Sequence, residues 1–274
     1  MKRARFAAAY TRLDYTLNIS RILEVKITVS YYEKIVVTQG ITEVWRYEKL
    51  NVKGGGARDG DGRDTEHNYR QQQRRRKNTI RQLICTNFDS GSKFVTLTFD
   101  NDRDHDYKDV QACNAYFKKF VMRMKYRFPE FKYVAVIEFQ DKNGRGAVHY
   151  HMICNLPFMK KSELAEIWAG GFVKINRIDK VDNVGAYVIK YMTSEVDDRR
   201  LCGENAYLHS RGLEKPVEVT TWRESDRECW RDLHDALEKA TPSYSAKYES
   251  EAAGHIEYLQ YNSNRTASIA KNPE

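Results

Sequence analysis

The spacing of apolar residues changes several times along the chain, and each change marks an element. KFVTLTF (93–99) is β-branched and aromatic throughout, which predicts a strand. Residues 107–128 then place Val110, Cys113, Phe117, Phe120, Val121, Met124 and Phe128 at three- and four-residue intervals, the period of an amphipathic helix. Asp106 with Asp109 forms its N-terminal cap, and Pro129 stops it. KYVAVIEFQ (132–140) and VHYHMIC (148–154) read as two strands joined by the turn DKNGRGA, whose Asn143-Gly144 pair favours a hairpin. Helices follow over 161–169 and 182–194, with a short strand at 172–178 between them.

Upstream, residues 19–31 and 34–49 are rich in β-branched and aromatic residues, and KGGGARDGDGRD (53–64) reads as a flexible loop. Residues 66–87 predict a helix, and the chain ends in a polar tail with another helix over 222–239. Three parts are expected: a β-rich region over 1–65, a central domain over 66–216 and a helical, polar tail over 217–274. Strands mixed with helices laid over one face imply an α+β fold with an antiparallel sheet.

Charge narrows the choice of partner. The 274 residues carry a formal net charge of +8, with a mean hydropathy of −0.73. That balance favours polyanions, which release counterions when basic groups neutralise their phosphates. Arg70, Arg74, Arg75, Arg76, Lys77 and Arg81 lie within twelve residues of the 66–87 helix with no acid among them. They are candidate contacts to a DNA backbone, and the plainer alternative is a solvated helix face. Five cysteines are scattered singly without a CxxC pair, which argues against a disulfide framework or a cysteine-built zinc site. The N-terminus lacks the apolar core of a signal peptide, and no stretch approaches the ~20 apolar residues of a membrane span. The expected location is the cytoplasm of a bacterial host.

The candidate chemistry sits on the predicted hairpin. Alternate side chains of a strand face opposite ways, so His149 and His151 share one face while Val148, Tyr150 and Met152 share the other. Glu138 and Gln140 share a face of the preceding strand. With an even number of loop residues Glu138 lies opposite His149 or His151, and two imidazoles and a carboxylate converge on a cation site. An odd number sets Glu138 opposite Tyr150 and breaks the site. The alternative for HYH alone is a pair of structural histidines. Cys154 has the wrong parity to extend a zinc set, Asn155-Leu156-Pro157 lacks the carboxylate of an HxH oxygenase, and the acidic run 100–106 lacks the glycine and glutamate of a calcium loop.

The second candidate element is VGAYVIKYMTSE (184–195). On a helix, Tyr187, Lys190, Tyr191 and Ser194 fall on one face, opposite Val184, Val188, Ile189 and Met192. A tyrosine phenolate can attack a phosphodiester, leaving a 5′-phosphotyrosine and a free 3′-hydroxyl. A divalent ion, magnesium or manganese, would polarise the scissile phosphate. Lys190 would contact the phosphate or lower the phenol's pKa, and Tyr191 would permit a second transesterification.

Three motifs in order resemble the HUH endonuclease superfamily, and within it the rolling-circle replication initiators of bacterial plasmids and single-stranded DNA phages. FVTLTF (94–99) resembles the first motif, HYH (149–151) the histidine motif and AYVIKYM (186–192) the tyrosine motif. The last fits both its Tyr-x-x-Lys and Tyr-x-x-x-Tyr forms. Ser210-Arg211-Gly212-Leu213 and Lys215-Pro216 also look like replication proteins of Gram-positive elements, so the likeness covers about residues 66–216. It implies a five-stranded antiparallel, ferredoxin- or RRM-like sheet with helices on its faces and the histidines on the central strand. It also implies nicking and rejoining of single-stranded DNA at an origin, with Tyr187 as first nucleophile, Tyr191 as candidate second, and His149, His151 and Glu138 as metal ligands. The long turn makes Gln140 a rival third ligand. No G-x-x-x-x-G-K-[ST] occurs, so the helicase and polymerase would come from the host. A relaxase or single-strand transposase shares this chemistry. A different alternative is a non-catalytic nucleic-acid-binding sheet with Tyr133 and Phe139 as stacking platforms.

Overall fold

The computed structural model describes residues 32–49, 65–101, 106–141, 144–178, 198–201, 204–205, 207–221, 228–250 and 253–263. In chain order these form β1 (Tyr32–Val37), β2 (Ile41–Tyr47), α1 (Thr65–Asn87), β3 (Lys93–Thr98), α2 (Val110–Arg127), β4 (Tyr133–Gln140) and β5 (Ala147–Cys154). There follow α3 (Lys161–Trp168), β6 (Val173–Arg177), β7 (Tyr207–His209), β8 (Val217–Thr221), α4 (Arg231–Lys239), β9 (Tyr244–Ser250) and β10 (Gly254–Asn262). The fold is α+β, with two antiparallel five-stranded sheets. The chain divides into two compact units: Gly62–Lys215, and Met1–Asp61 with Pro216–Glu274.

The discontinuous unit contains the sheet β8-β1-β2-β10-β9. Ile35, Val37, Val44, Val219, Leu259 and Tyr261 pack against Leu233 and Leu237 of α4. Beside this core the buried Glu33 carboxylate accepts a hydrogen bond from Arg46 at 2.8 Å, and Arg46 also reaches Glu257. The expected polar tail is therefore different in the structure: besides its helix, three of its segments (217–221, 244–250 and 254–262) are strands of this sheet. They pair with β1 and β2, more than 170 residues earlier in the chain, as in Val37↔Val217 and Ile41↔Asn262. Of the expected β-rich stretch before them, residues 19–31 lie outside the described set.

The continuous unit contains the sheet β6-β3-β5-β4-β7, so the histidine strand β5 is central. One face is a dense aromatic core under α2 and α3. Val95, Leu97, Ile137, Tyr150 and Met152 meet Cys113, Phe117, Phe120 and Met124 of α2 and Leu164 and Trp168 of α3. The α2 helix starts where Asp109 accepts a hydrogen bond from the Ala112 amide, and its four core residues follow the spacing read from the sequence. Tyr133 and Phe139 belong to this core, each 8% exposed. They are not stacking platforms, because α2 covers their face. On the other face α1 packs Ile80, Leu83, Ile84 and Phe88 over Phe94, Val134, Val136 and Ile153. That cover reaches only part of the face; the remainder is polar.

Candidate functional site

The polar part of the sheet is built from β3, β5 and β4, read across. The hairpin loop between Gln140 and Ala147 has six residues, and the register sets Glu138 opposite His149 and Val136 opposite His151. On the other side of β5, Thr98 pairs with His149 and Thr96 with His151. Thr96, Thr98, Glu138, Gln140, His149 and His151 share the face that α1 leaves partly uncovered.

Their bonds run diagonally across the register. Gln140 Oε1 lies 2.9 Å from His149 Nε2, while the Glu138 carboxylate contacts His151 Nε2. Thr98 Oγ1 lies 3.5 Å from His149 Nδ1, and Thr96 Oγ1 lies 3.2 Å from His151 Nδ1. Each imidazole thus sits between a β3 hydroxyl and a β4 oxygen. Because both β4 atoms are acceptors, the network assigns the ring protons to Nε2, and the threonine hydroxyls donate to Nδ1. Phe94 lies parallel to the His151 ring with centroids 5.7 Å apart, at the seam with the apolar part.

Burial governs the charge on His149. The ring is 8% exposed, and desolvation pushes its pKa down to about 4; His151 and Arg145 push the same way and Glu138 opposes them. The imidazole is neutral at pH 7, the form that can ligate a metal. Arg145, from the hairpin turn, fixes the amide beside it. It donates to Gln140 Oε1 at 2.8 Å, to Asn101 Oδ1 at 2.9 Å and to the Phe99 carbonyl, and its guanidinium lies over the Tyr107 ring.

The two β4 groups that the sequence leaves as rivals both enter the site, one to each histidine. Among the described residues, no group of three or more His, Cys, Asp or Glu side chains is gathered into a metal shell. The donor types nonetheless suit a hard divalent cation: two imidazole nitrogens, one carboxylate and one amide oxygen. Sequence reasoning does not single out Thr96, Thr98 or Arg145. The alternating threonines of FVTLTF are the available signal, since their parity sets them on one face. Lys174 of β6 pairs with Thr96 and adds a cation to the same face.

The basic run lies on α1. Arg70, Arg74 and Arg75 are exposed, while Arg76, Lys77 and Arg81 are half-buried. Arg70, Arg74, Lys77 and Arg81 follow one helical stripe, beside the Ile80/Ile84 stripe that packs on the sheet. Tyr187, Lys190 and Tyr191 lie outside the described residues. The chain on either side of them belongs to strands at opposite edges of the sheet, β6 before and β7 after.

An antiparallel sheet with a pair of histidines on its central strand, each held between a hydroxyl and a carboxyl or amide oxygen, defines a polar reaction floor on an α+β scaffold. Residues 92–196 match a family model of replication-associated proteins, the ORF2 type. The match begins just before β3, takes in both histidines and reaches past Tyr191, and it covers under half of the chain. No curated protein and no solved structure matches the chain. No helix among the described residues is long and apolar enough to cross a membrane.

Proposed function

We propose that the protein is a rolling-circle replication initiator of the HUH type, which nicks and rejoins single-stranded origin DNA through a 5′-phosphotyrosine. The observation that carries this reading is the pair of imidazoles aligned on one sheet face between Thr96/Thr98 and Glu138/Gln140, within the stretch that matches a replication-associated family. A purely structural histidine pair has no need of a carboxylate on the neighbouring strand, nor of an uncovered half-face.

His149, His151 and Glu138 would hold magnesium or manganese, with Gln140 beside them. When bound, that ion supplies charge neutralisation at a phosphate. The threonines orient the imidazoles from behind, as outer partners of metal-bound histidines do. Arg145 holds the Gln140 amide so that its oxygen, not its nitrogen, faces His149. Tyr187 provides the nucleophile: its oxygen bonds to phosphorus while the bond to the 3′ oxygen breaks, and the phenolic proton passes through solvent to the released 3′-hydroxyl. Lys190 would steady the phosphate, and Tyr191 would carry out the second transfer. The stripe Arg70, Arg74, Lys77 and Arg81 would bind DNA backbone, with origin single strand as substrate and host helicase and polymerase as partners in the cytoplasm of a bacterial host.

The test is covalent capture. Protein with manganese and single strands covering the parent replicon should give an SDS-resistant adduct, and a tryptic map should find the DNA on the peptide bearing Tyr187. Tyr187→Phe should abolish the first adduct and Glu138→Ala should lower its yield sharply. No adduct with any strand of the replicon overturns the reading, and an adduct on another residue overturns the assignment.

A further inference from the structure

We infer that the pocket beside His149 is a subsite for one unstacked nucleobase of the single strand, and that it favours bases bearing an exocyclic amino group; the inference rests on the nicking site proposed above. The pocket has a volume of about 410 Å³, room for a single nucleotide, and shares Thr98, Gln140 and Arg145 with the histidine site. Its outer wall is Asp100, Asn101 and Phe172.

Phe172 is a stacking surface in the wrong place for a core residue. It is 56% exposed, although its chain neighbour Val173 is buried. The backbone that presents it is pinned on both sides: the Thr98 amide donates to the Phe172 carbonyl at 2.9 Å and the Asp100 amide to the Gly170 carbonyl at 2.8 Å. Gly171 between them has φ 146°, and a Cβ there would come within 2.5 Å of the Asp100 nitrogen. Only glycine permits this approach, so the ring is held at the pocket rim by a close-packed backbone. Lys161 Nζ lies 4.0 Å from the ring centroid, which sets a cation beside the stacking surface where a flanking phosphate can meet it.

The polar groups choose the base. Arg145 is spent on Asn101, Gln140 and the Phe99 carbonyl. Asn101 has therefore given its oxygen and keeps its amide hydrogens to donate. Asp100 is exposed and its carboxylate has no hydrogen-bond partner among the described residues. A carboxylate can only accept, so it suits the amino groups of adenine, cytosine or guanine and repels both the carbonyl edge of thymine and a phosphate.

The experiment measures binding of full-length protein to short fluorescent dA, dC and dT oligomers in EDTA, so that no cleavage intervenes. The wild type should bind dA and dC several-fold more tightly than dT. Phe172→Ser should weaken dA and dC binding by about tenfold, the scale of one lost stacking contact, and Phe172→Tyr should restore it. Asp100→Asn should erase the preference over dT while leaving dT binding unreduced. Equal binding of all three oligomers by the wild type, or a Phe172→Ser protein that binds as the wild type does, overturns the subsite. Because these readings need neither metal nor nucleophile, a protein that forms no adduct but shows the preference loses the nicking reading alone.

Discussion

The two faces of β5 are made from the same eight residues and carry opposite chemistry. Toward α2, Tyr150 and Met152 are fully buried, and the Tyr150 ring stacks on Phe117 with centroids 4.4 Å apart. Toward α1, His149 and His151 hold hydrogen bonds to threonine, glutamate and glutamine. The packed face explains the precision of the polar one. A one-residue slip of β5 would drive both imidazoles into the aromatic core and eject Tyr150 and Met152, so the register that aligns the histidines is fixed from behind.

The most drastic way to break this comparison is to hollow the packed face. Phe117→Ala should cost about 3–5 kcal/mol of stability, since it removes a fully buried ring among Tyr133, Tyr150 and Phe120. Urea denaturation measures it, and a loss below about 1 kcal/mol would mean that the core does not enforce the register. A gentler change tests the polar face alone. Thr96→Val with Thr98→Val keeps the shape of β3 but removes both hydroxyls from the histidine Nδ1 atoms. The manganese midpoint for adduct formation should rise about tenfold or more, with the melting temperature little changed. If both quantities moved together, the threonines would be packing residues.

The smallest effect is one of pH. Folding lowers the His149 pKa to about 4, whereas the unfolded chain takes up that proton near the ordinary value of about 6.5. Between these values the unfolded state binds more protons, so this group's contribution to stability is lost as pH falls from about 6.5 toward 4. Urea midpoints in EDTA should therefore drop across that window, and His149→Asn should flatten the drop. An unchanged slope in the variant would assign the pH dependence to other groups.

What is legible in the chain follows the range of the interactions. The α2 stripe, its Asp109 cap and the parity of HYH depend on neighbours in sequence, and the structure has the helix and both strands within a residue or two at most ends. The parity of β4 tells which residues share a face but not which face a helix will cover, so Tyr133 and Phe139 are open to a surface reading. The diagonal lean that gives Gln140 to His149 and Glu138 to His151 is a side-chain choice that no spacing encodes. The strands of residues 217–262 are least visible. SYSAKYES looks like a polar tail because β9 is an edge strand, and its neighbours lie far off in sequence.

That distant pairing also sets an order of events during synthesis. The continuous unit, 62–215, interrupts the chain of the other one, and Ile41 finds its partner Asn262 only after 221 further residues (262 − 41) have been made. On the ribosome β1 and β2 wait as a lone hairpin, which is marginal in water. The histidine-bearing unit has all its strands in hand by residue 215 and can close first. The later unit then forms from the two stretches of chain that flank a finished one, so a truncation before β10 would strand the first hairpin yet leave the sequence of the histidine sheet complete.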